Sequence, residues 1–273
     1  MSMYKVAAVT GGASGIGKAF CERLTRDGCR VAVLDLDGDG AARLADELGG
    51  IALRCDVGNE AEMTAAIDRV EEELGPVDLF VANAGILSGD GPDGAADAKG
   101  LWAAFDDRWE TGWQVNVMAH VYAARALVPR MIERGGGTFV SVASAAGLLA
   151  QIGDAMYSVT KHAAVGFAES LAITHGDDGI KVTLVCPQAV DTPMVAAAAE
   201  HREESGNAIG GAAVDGIVAP ETVADMAIAA ALEGRFLVLP HPGVAGYMQA
   251  KAADYDRWIS GMRAFRRKLR EST

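Results

Sequence analysis

Tyr157 and Lys161 are four residues apart, so a helix carrying them sets both on one face, one turn from each other. A free phenol has a pKa of about 10, too high for a base at neutral pH. A neighbouring ammonium favours the phenolate and lowers that value. The pair is therefore read as a proton-transfer device with Tyr157 as its acid/base. Ser144 stands 13 residues earlier, at the end of an apolar run, where its hydroxyl can orient and polarise a substrate oxygen. Without Ser144, a lone Tyr-xxx-Lys reads as an ordinary helix surface.

A second group of residues suits phosphate rather than protons. The stretch Thr10-Gly-Gly-Ala-Ser-Gly-Ile-Gly17 follows an apolar run and opens a helical pattern near Ile16. Glycines such as Gly11, Gly15 and Gly17 let the chain turn tightly, and with Ser14 and Ile16 they bring a pyrophosphate to a helix N-terminus. Asp35 closes the next apolar run, 18 residues after Gly17. A carboxylate there accepts both ribose hydroxyls of an adenosine and repels a 2′-phosphate, which favours NAD over NADP.

The elements that must carry these residues are legible as alternating short aliphatic runs and longer amphipathic segments. Strands are expected at Lys5–Thr10, Arg30–Asp35, Ile51–Asp56, Leu79–Asn83, Gly137–Val142, Lys181–Cys186 and Phe236–Leu239. Helical patterns lie between them at Lys18–Asp27, Gly40–Leu48, Glu60–Leu74 and Gln114–Glu133. The strands are continuously apolar, as in sheets covered on both faces. Strand–helix–strand repetition with right-handed crossovers predicts an α/β fold with a doubly wound, Rossmann-type parallel sheet. A single domain is expected: residues 1–246 bind the dinucleotide and carry the catalysis, and residues 247–273 form a C-terminal helical extension of it.

Composition narrows the function classes. Of 273 residues half are hydrophobic, enough for a large core, and 24 Lys and Arg stand against 37 Asp and Glu, a net charge of −13. That balance argues against nucleic acid and anionic membrane surfaces as partners. Cys21, Cys29, Cys55 and Cys186 show neither CxxC pairing nor zinc-finger spacing. Reduced thiols, the lack of a spanning apolar run and of a signal-peptide shape lead us to expect a soluble cytoplasmic chain.

Taken together, these motifs identify the chain as similar to the short-chain dehydrogenases/reductases. The resemblance runs from about Tyr4 to about Leu239 and rests on Thr10–Gly17, Asp56-Val57, Asn83-Ala84-Gly85, Asn116, Ser144 and Tyr157-Ser-Val-Thr-Lys161. It implies an oxidoreductase acting on a secondary alcohol or its ketone, with NAD as cofactor and Lys161 also holding the nicotinamide ribose. By the same resemblance Asn116 holds a water linking Lys161 to solvent, Asp56 and Val57 contact adenine, and Asn83, Ala84 and Gly85 line the cofactor groove. Pro187, Val190 and Thr192 match the carboxamide-binding stretch. Where the family usually has Pro-Gly this chain has Pro187-Gln188, so Gln188 is expected to narrow the substrate cavity or donate into it. Ala145, Ala146, Leu148, Gln151, Ile152, Met156, Gln188 and Met194 are expected beside Ser144 in a substrate pocket without Arg or Lys, suited to a neutral, moderately hydrophobic alcohol. Two other readings stand beside this one: an NADP-dependent ketone reductase, which Asp35 opposes, and a dinucleotide sensor without catalysis, which needs none of the catalytic set.

Other features read blandly. The five histidines have no metal-ligand spacing, and no metal is expected. Trp102, Trp109 and Trp113 suit a core or interface. Residues Ser88–Lys99 read as a surface insertion and Met194–Val218 as a mobile flap. Beyond the family core, Met248, Ala252, Tyr255, Ile259, Met262 and Leu269 follow helical steps, widened by Trp258 and Phe265. This stripe is expected to pack across a subunit boundary in a homo-oligomer, a tetramer by resemblance; folding back on its own subunit is the alternative.

Overall fold

The computed structural model describes residues 4–87, 107–200 and 212–271. The expected insertion, Trp102, His201 and the middle of the expected flap lie outside them. Among the described residues the chain runs β1 (Val6–Thr10), α1 (Gly15–Arg26), β2 (Arg30–Asp35), α2 (Gly38–Leu48), β3 (Ile51–Arg54), α3 (Glu60–Leu74) and β4 (Leu79–Ala82). It resumes with α4 (Asp107–Trp113), a π-helical turn (Gln114–Met118), α5 (Ala119–Glu133), β5 (Gly137–Val142), a 3-10 turn (Ala145–Gly147), α6 (Ala155–His175), β6 (Ile180–Val185) and α7 (Pro193–Glu200). It closes with α8 (Pro220–Glu233), β7 (Leu237–Val238), α9 (Gly243–Ala253) and α10 (Tyr255–Glu271).

The seven strands form one parallel sheet in the order β3-β2-β1-β4-β5-β6-β7, the doubly wound sheet expected of the sequence. Successive strand residues point to opposite faces, and both faces are dry. Val6 and Ala8 join the core under α3, α5 and α6, while Ala7 and Val9 join the one under α1, α2 and α8. Double burial is why the strands read as continuous apolar runs. β2 and β5 have the expected bounds. β3 stops at Arg54 rather than Asp56, and β7 shrinks to two residues.

Helix α3 begins where Asn59 Oδ1 accepts from the backbone N–H of Ala61 (3.0 Å) and Glu62 (3.3 Å), satisfying two orphan donors of the first turn. The expected helix from Gln114 starts earlier, at Asp107, and its Gln114–Met118 segment is π-helical, a local widening common at functional sites. Helix α1 packs on the turn before it because Gly17 has no side chain: a Cβ there would lie 2.0 Å from the Gly11 carbonyl oxygen.

The C-terminal stripe does not form one helix. Asp254, in extended backbone, separates α9 from α10, so the apolar positions divide. Val244 is buried against Ala145 and Leu149, whereas Tyr255 and Ile259 are more than half exposed. Within the chain, Val244, Tyr247, Met248 and Trp258 pack with Ala145 and Leu149, and α9 begins at Gly243, ahead of the expected boundary at residue 247. No helix among the described residues is long and apolar enough to cross a membrane.

His120 on α5 is buried in the core, and its Nδ1 has no hydrogen-bond partner. Burial, reinforced by the Lys161 charge, pushes its imidazole down to about 3. The unfolded chain takes up that proton near pH 6.5 and the folded one only near 3, so stability is lost as pH falls through that window. His120→Leu removes this titration. Its urea midpoint is expected to fall less than that of the wild type on going from about pH 7 to about pH 5.

Candidate active site

Outward from β1 the chain winds to β2 and β3, then crosses back to β4, and a crevice opens at the carboxyl ends of β1 and β4 where the winding reverses. It is a cleft of about 640 Å³.

One half is built for an anion and a ribose. Gly11 and Gly15 take left-handed backbone (φ 61° and 51°), and a Cβ on Gly11 would press on Ala84 at 2.9 Å. Ser14, at the N-cap of α1, makes no side-chain cap hydrogen bond, so the first amides of the helix keep their donors. Asp35 closes β2 with one carboxylate oxygen accepting from Ala13 N and the other from Asp37 N (both 2.9 Å). Those bonds hold it at the rim with lone pairs to spare. Gly11, Ser14, Gly15, Ile16, Asp35, Asp56, Val57, Asn83, Ala84 and Gly85 all line the cleft. Gly17 does not; it serves the packing of α1. A glycine cradle, free helix amides and a rim carboxylate fit a dinucleotide.

The other half is set by α6. Asp154 Oδ1 accepts from Tyr157 N at 2.7 Å and caps the helix, which starts the first turn in the position that turns Tyr157 into the cleft. Lys161, one turn on, is buried; its Nζ donates to Val142 O (3.2 Å) and stands 5.5 Å from the centre of the Tyr157 ring. Ser144, at the end of β5, accepts from Ala146 N at 3.1 Å and hydrogen-bonds Tyr157.

The electrostatics differ from the expectation that Lys161 pulls the phenol down. Burial pushes Tyr157 up to about 12, with the Ser144 hydrogen bond opposing it, and pushes Lys161 down to about 8. Each charged form loses its water before either gains from the other. Asn116 is held by its side chain. On the π-helical turn, its Oδ1 accepts from Ile86 N and its Nδ2 donates to Ile86 O (both 2.9 Å) and to Thr160 Oγ1 (3.1 Å). Asn116 thus ties the chain after β4 to α6, beneath the cleft.

Pro187, Val190 and Thr192 line the cleft, with Thr192 Oγ1 accepting from Val195 N at the start of α7. Ala145, Ala146, Gln151, Ile152, Gln188 and Met194 line the substrate side. Met156 and Leu148 do not. Met156 lies fully buried behind Asn116, with its sulfur 3.8 Å from Thr160 Oγ1, because its step on α6 turns it away from Tyr157. Gln188 backbone N donates to His241 Nδ1 (3.1 Å), and the buried side-chain Gln188 Oε1 has no partner. Among the lining residues that were not expected are Tyr247, Trp258, Met262 and Phe265. Their helical spacing was visible in the sequence; the surface they meet was not. No group of metal ligands occurs among the described residues.

Residues 5–203 match the short chain dehydrogenase family model. A 1-deoxy-11-beta-hydroxypentalenate dehydrogenase of Streptomyces exfoliatus is 37% identical over 197 residues, covering 70% of this chain and 69% of that protein. The 3beta-hydroxysteroid dehydrogenase 2 of Eggerthella lenta is 33% identical over 194 residues, covering 69% and 72%. Among solved structures, a short chain dehydrogenase/reductase from Burkholderia phymatum in complex with NAD superposes with a TM-score of 0.81 at 28% identity, covering 92% of this chain and 94% of that one.

Because Asn116 satisfies both backbone groups of Ile86, Asn116→Ala strands them. The variant is expected to lose roughly 1–3 kcal/mol of stability in urea unfolding.

Proposed function

The chain belongs to the short chain dehydrogenase family, oxidoreductases acting on hydroxyl groups, and on that premise we propose that it interconverts a secondary alcohol and its ketone with NAD. The observation that carries the reading is the meeting of Ser144, Tyr157 and Lys161 on one wall of a cleft whose other wall is the glycine turn and Asp35.

Gly11, Ser14, Gly15 and Ile16 hold the pyrophosphate of the dinucleotide, Asp35 its adenosine ribose, Asp56 and Val57 its adenine, and Asn83, Ala84 and Gly85 its path along the groove. Lys161 holds the second ribose, and Pro187, Val190 and Thr192 the carboxamide. When bound, the nicotinamide supplies exchange of a hydride with the carbinol carbon and, in its oxidised form, a positive charge. Tyr157 Oη takes the alcohol proton during oxidation and returns it during reduction. Ser144 Oγ orients the substrate oxygen toward that phenol. A phenol held up by burial needs positive charge nearby to become a base, and Lys161, 5.5 Å from the ring centre, is the cation that lines the cleft beside it. Asn116 keeps α6 and the chain after β4 in register for this transfer.

Asp35 supports NAD over NADP, Asp37 and Asp39 follow it with further negative charge, and the neighbouring Arg54 is paired with Glu62 at 3.5 Å. The substrate side is bounded by Ala146, Gln151, Gln188 and Met194 and has no cation of its own among the described residues, which supports a neutral, moderately hydrophobic alcohol. A homotetramer and a cytoplasmic location complete the reading, supported by the exposed Val159 and Ile173 on α6 and by four free, buried cysteines.

Two measurements test it. Tyr157→Phe is expected to lower turnover of a secondary alcohol by about two to four orders of magnitude while NAD still binds in calorimetry; undiminished turnover removes the mechanism. Asp35→Ser is expected to raise the kcat/KM ratio of NADP to NAD by at least about tenfold, since it removes a like charge from the phosphate's position. A wild-type protein using both cofactors equally well removes the assignment of NAD.

A further inference from the structure

The substrate side of the cleft has a wall that comes from outside the sheet-and-helix body. Trp258, Met262 and Phe265 reach it from α10, spaced by four and three residues along one stripe of that helix. Tyr255 and Ile259, on the neighbouring flank of the helix, face solvent. All three cleft-facing residues are only partly buried, so an aromatic and thioether surface stays open toward the cleft.

The arm that carries this surface is fastened to the segment after Ser144. Val244 is fully buried against Ala145 and Leu149. Lys251 Nζ donates to Leu148 O and Leu149 O, both at 2.9 Å. Asp254 then ends α9 in extended backbone and starts α10, its Oδ1 accepting from Arg257 N at 2.9 Å and its carbonyl from Trp258 N at 3.0 Å. That bend turns Trp258 inward.

Resting on the dehydrogenase reading above, we infer that the α9–α10 arm is the specificity wall of the cleft, selecting a bulky, ring-bearing apolar secondary alcohol over a short-chain one. Two ring systems and a thioether offer a flat apolar face longer than a short alkyl group can cover, and contact area of this kind discriminates by size. Lys161 is the only cation lining the cleft among the described residues, and it belongs to the reacting end, so the wall has no charge for an anionic tail to meet.

Binding and turnover of decahydro-2-naphthol and of 2-butanol, in the full chain with NAD, test the inference. Trp258→Ala and Phe265→Ala are each expected to weaken calorimetric binding of the bicyclic alcohol, and to lower its kcat/KM relative to that of 2-butanol, by at least about tenfold. Ile259→Ala, on the solvent-facing flank of the same helix, is expected to change neither and so controls for loosening of α10. Unchanged binding and ratio in both cleft-facing variants overturn the wall, and so does an equal loss in Ile259→Ala. A wild-type protein that binds the bicyclic alcohol through Trp258 and Phe265 but oxidises neither alcohol removes the dehydrogenase reading and keeps the wall.

Discussion

The cleft depends on a single junction, where β1 and β4 separate at their carboxyl ends. Thr10 Oγ1 accepts from Asn83 N (3.0 Å) and Ala84 N (3.2 Å) and donates to Val81 O, while Asn83 Nδ2 donates to Thr10 O and Gly11 O. Two strands that part must leave backbone groups unpaired, and buried unpaired groups are expensive. Here one threonine and one asparagine satisfy those groups, which keeps the crevice open and holds the glycine turn on one lip and the Asn83-Ala84-Gly85 segment on the other. Gly11 then has to be glycine, since it lies against Ala84 and has positive φ.

The same junction connects to the proton-transfer residues. The chain leaving β4 reaches Ile86, whose two backbone groups bind Asn116, which in turn binds Thr160 on α6. Thr160 is beside Lys161, so the cofactor lip and the catalytic helix share one polar chain. A Cβ on Gly85 would lie 3.2 Å from both Asn116 Oδ1 and Lys161 Nζ, so the spacing of these parts is set to within a methyl group. Such a network stays worthwhile in a dry interior only when its members are all satisfied. In this setting burial dominates the titration of Tyr157 and Lys161, and a phenol kept above its ordinary range is a base only when positive charge is brought to it.

Beyond the family core, the C-terminal arm contributes to the cleft. Arg263, Arg267 and the exposed Ile259 share the outward side of α10 with solvent, whereas Trp258, Met262 and Phe265 give the cleft an apolar boundary. Because Lys251 ties the arm to the carbonyls of Leu148 and Leu149, the wall and the segment that follows Ser144 are held as one unit.

Much of this was local information. Continuous apolar runs marked the strands because both faces of the sheet are covered, and the bounds of β2, β5 and α3 follow directly from their residues and caps. The glycine turn, Asp35, Ser144, Tyr157 and Lys161 were legible because each needs a particular residue type at a short, fixed spacing. Tertiary structure decided what spacing cannot express. Met156 and Leu148, beside cleft residues in sequence, turn away from the cleft, Asn116 spends its amide on Ile86 and Thr160, and burial reverses the expected fall in the phenol's pKa. The apolar period of the tail was equally visible, but a helical stripe reports only that a face is buried, not against what. The bend at Asp254 settles that, bringing Trp258, Met262 and Phe265 to a surface whose nearest elements are roughly a hundred residues away in the chain.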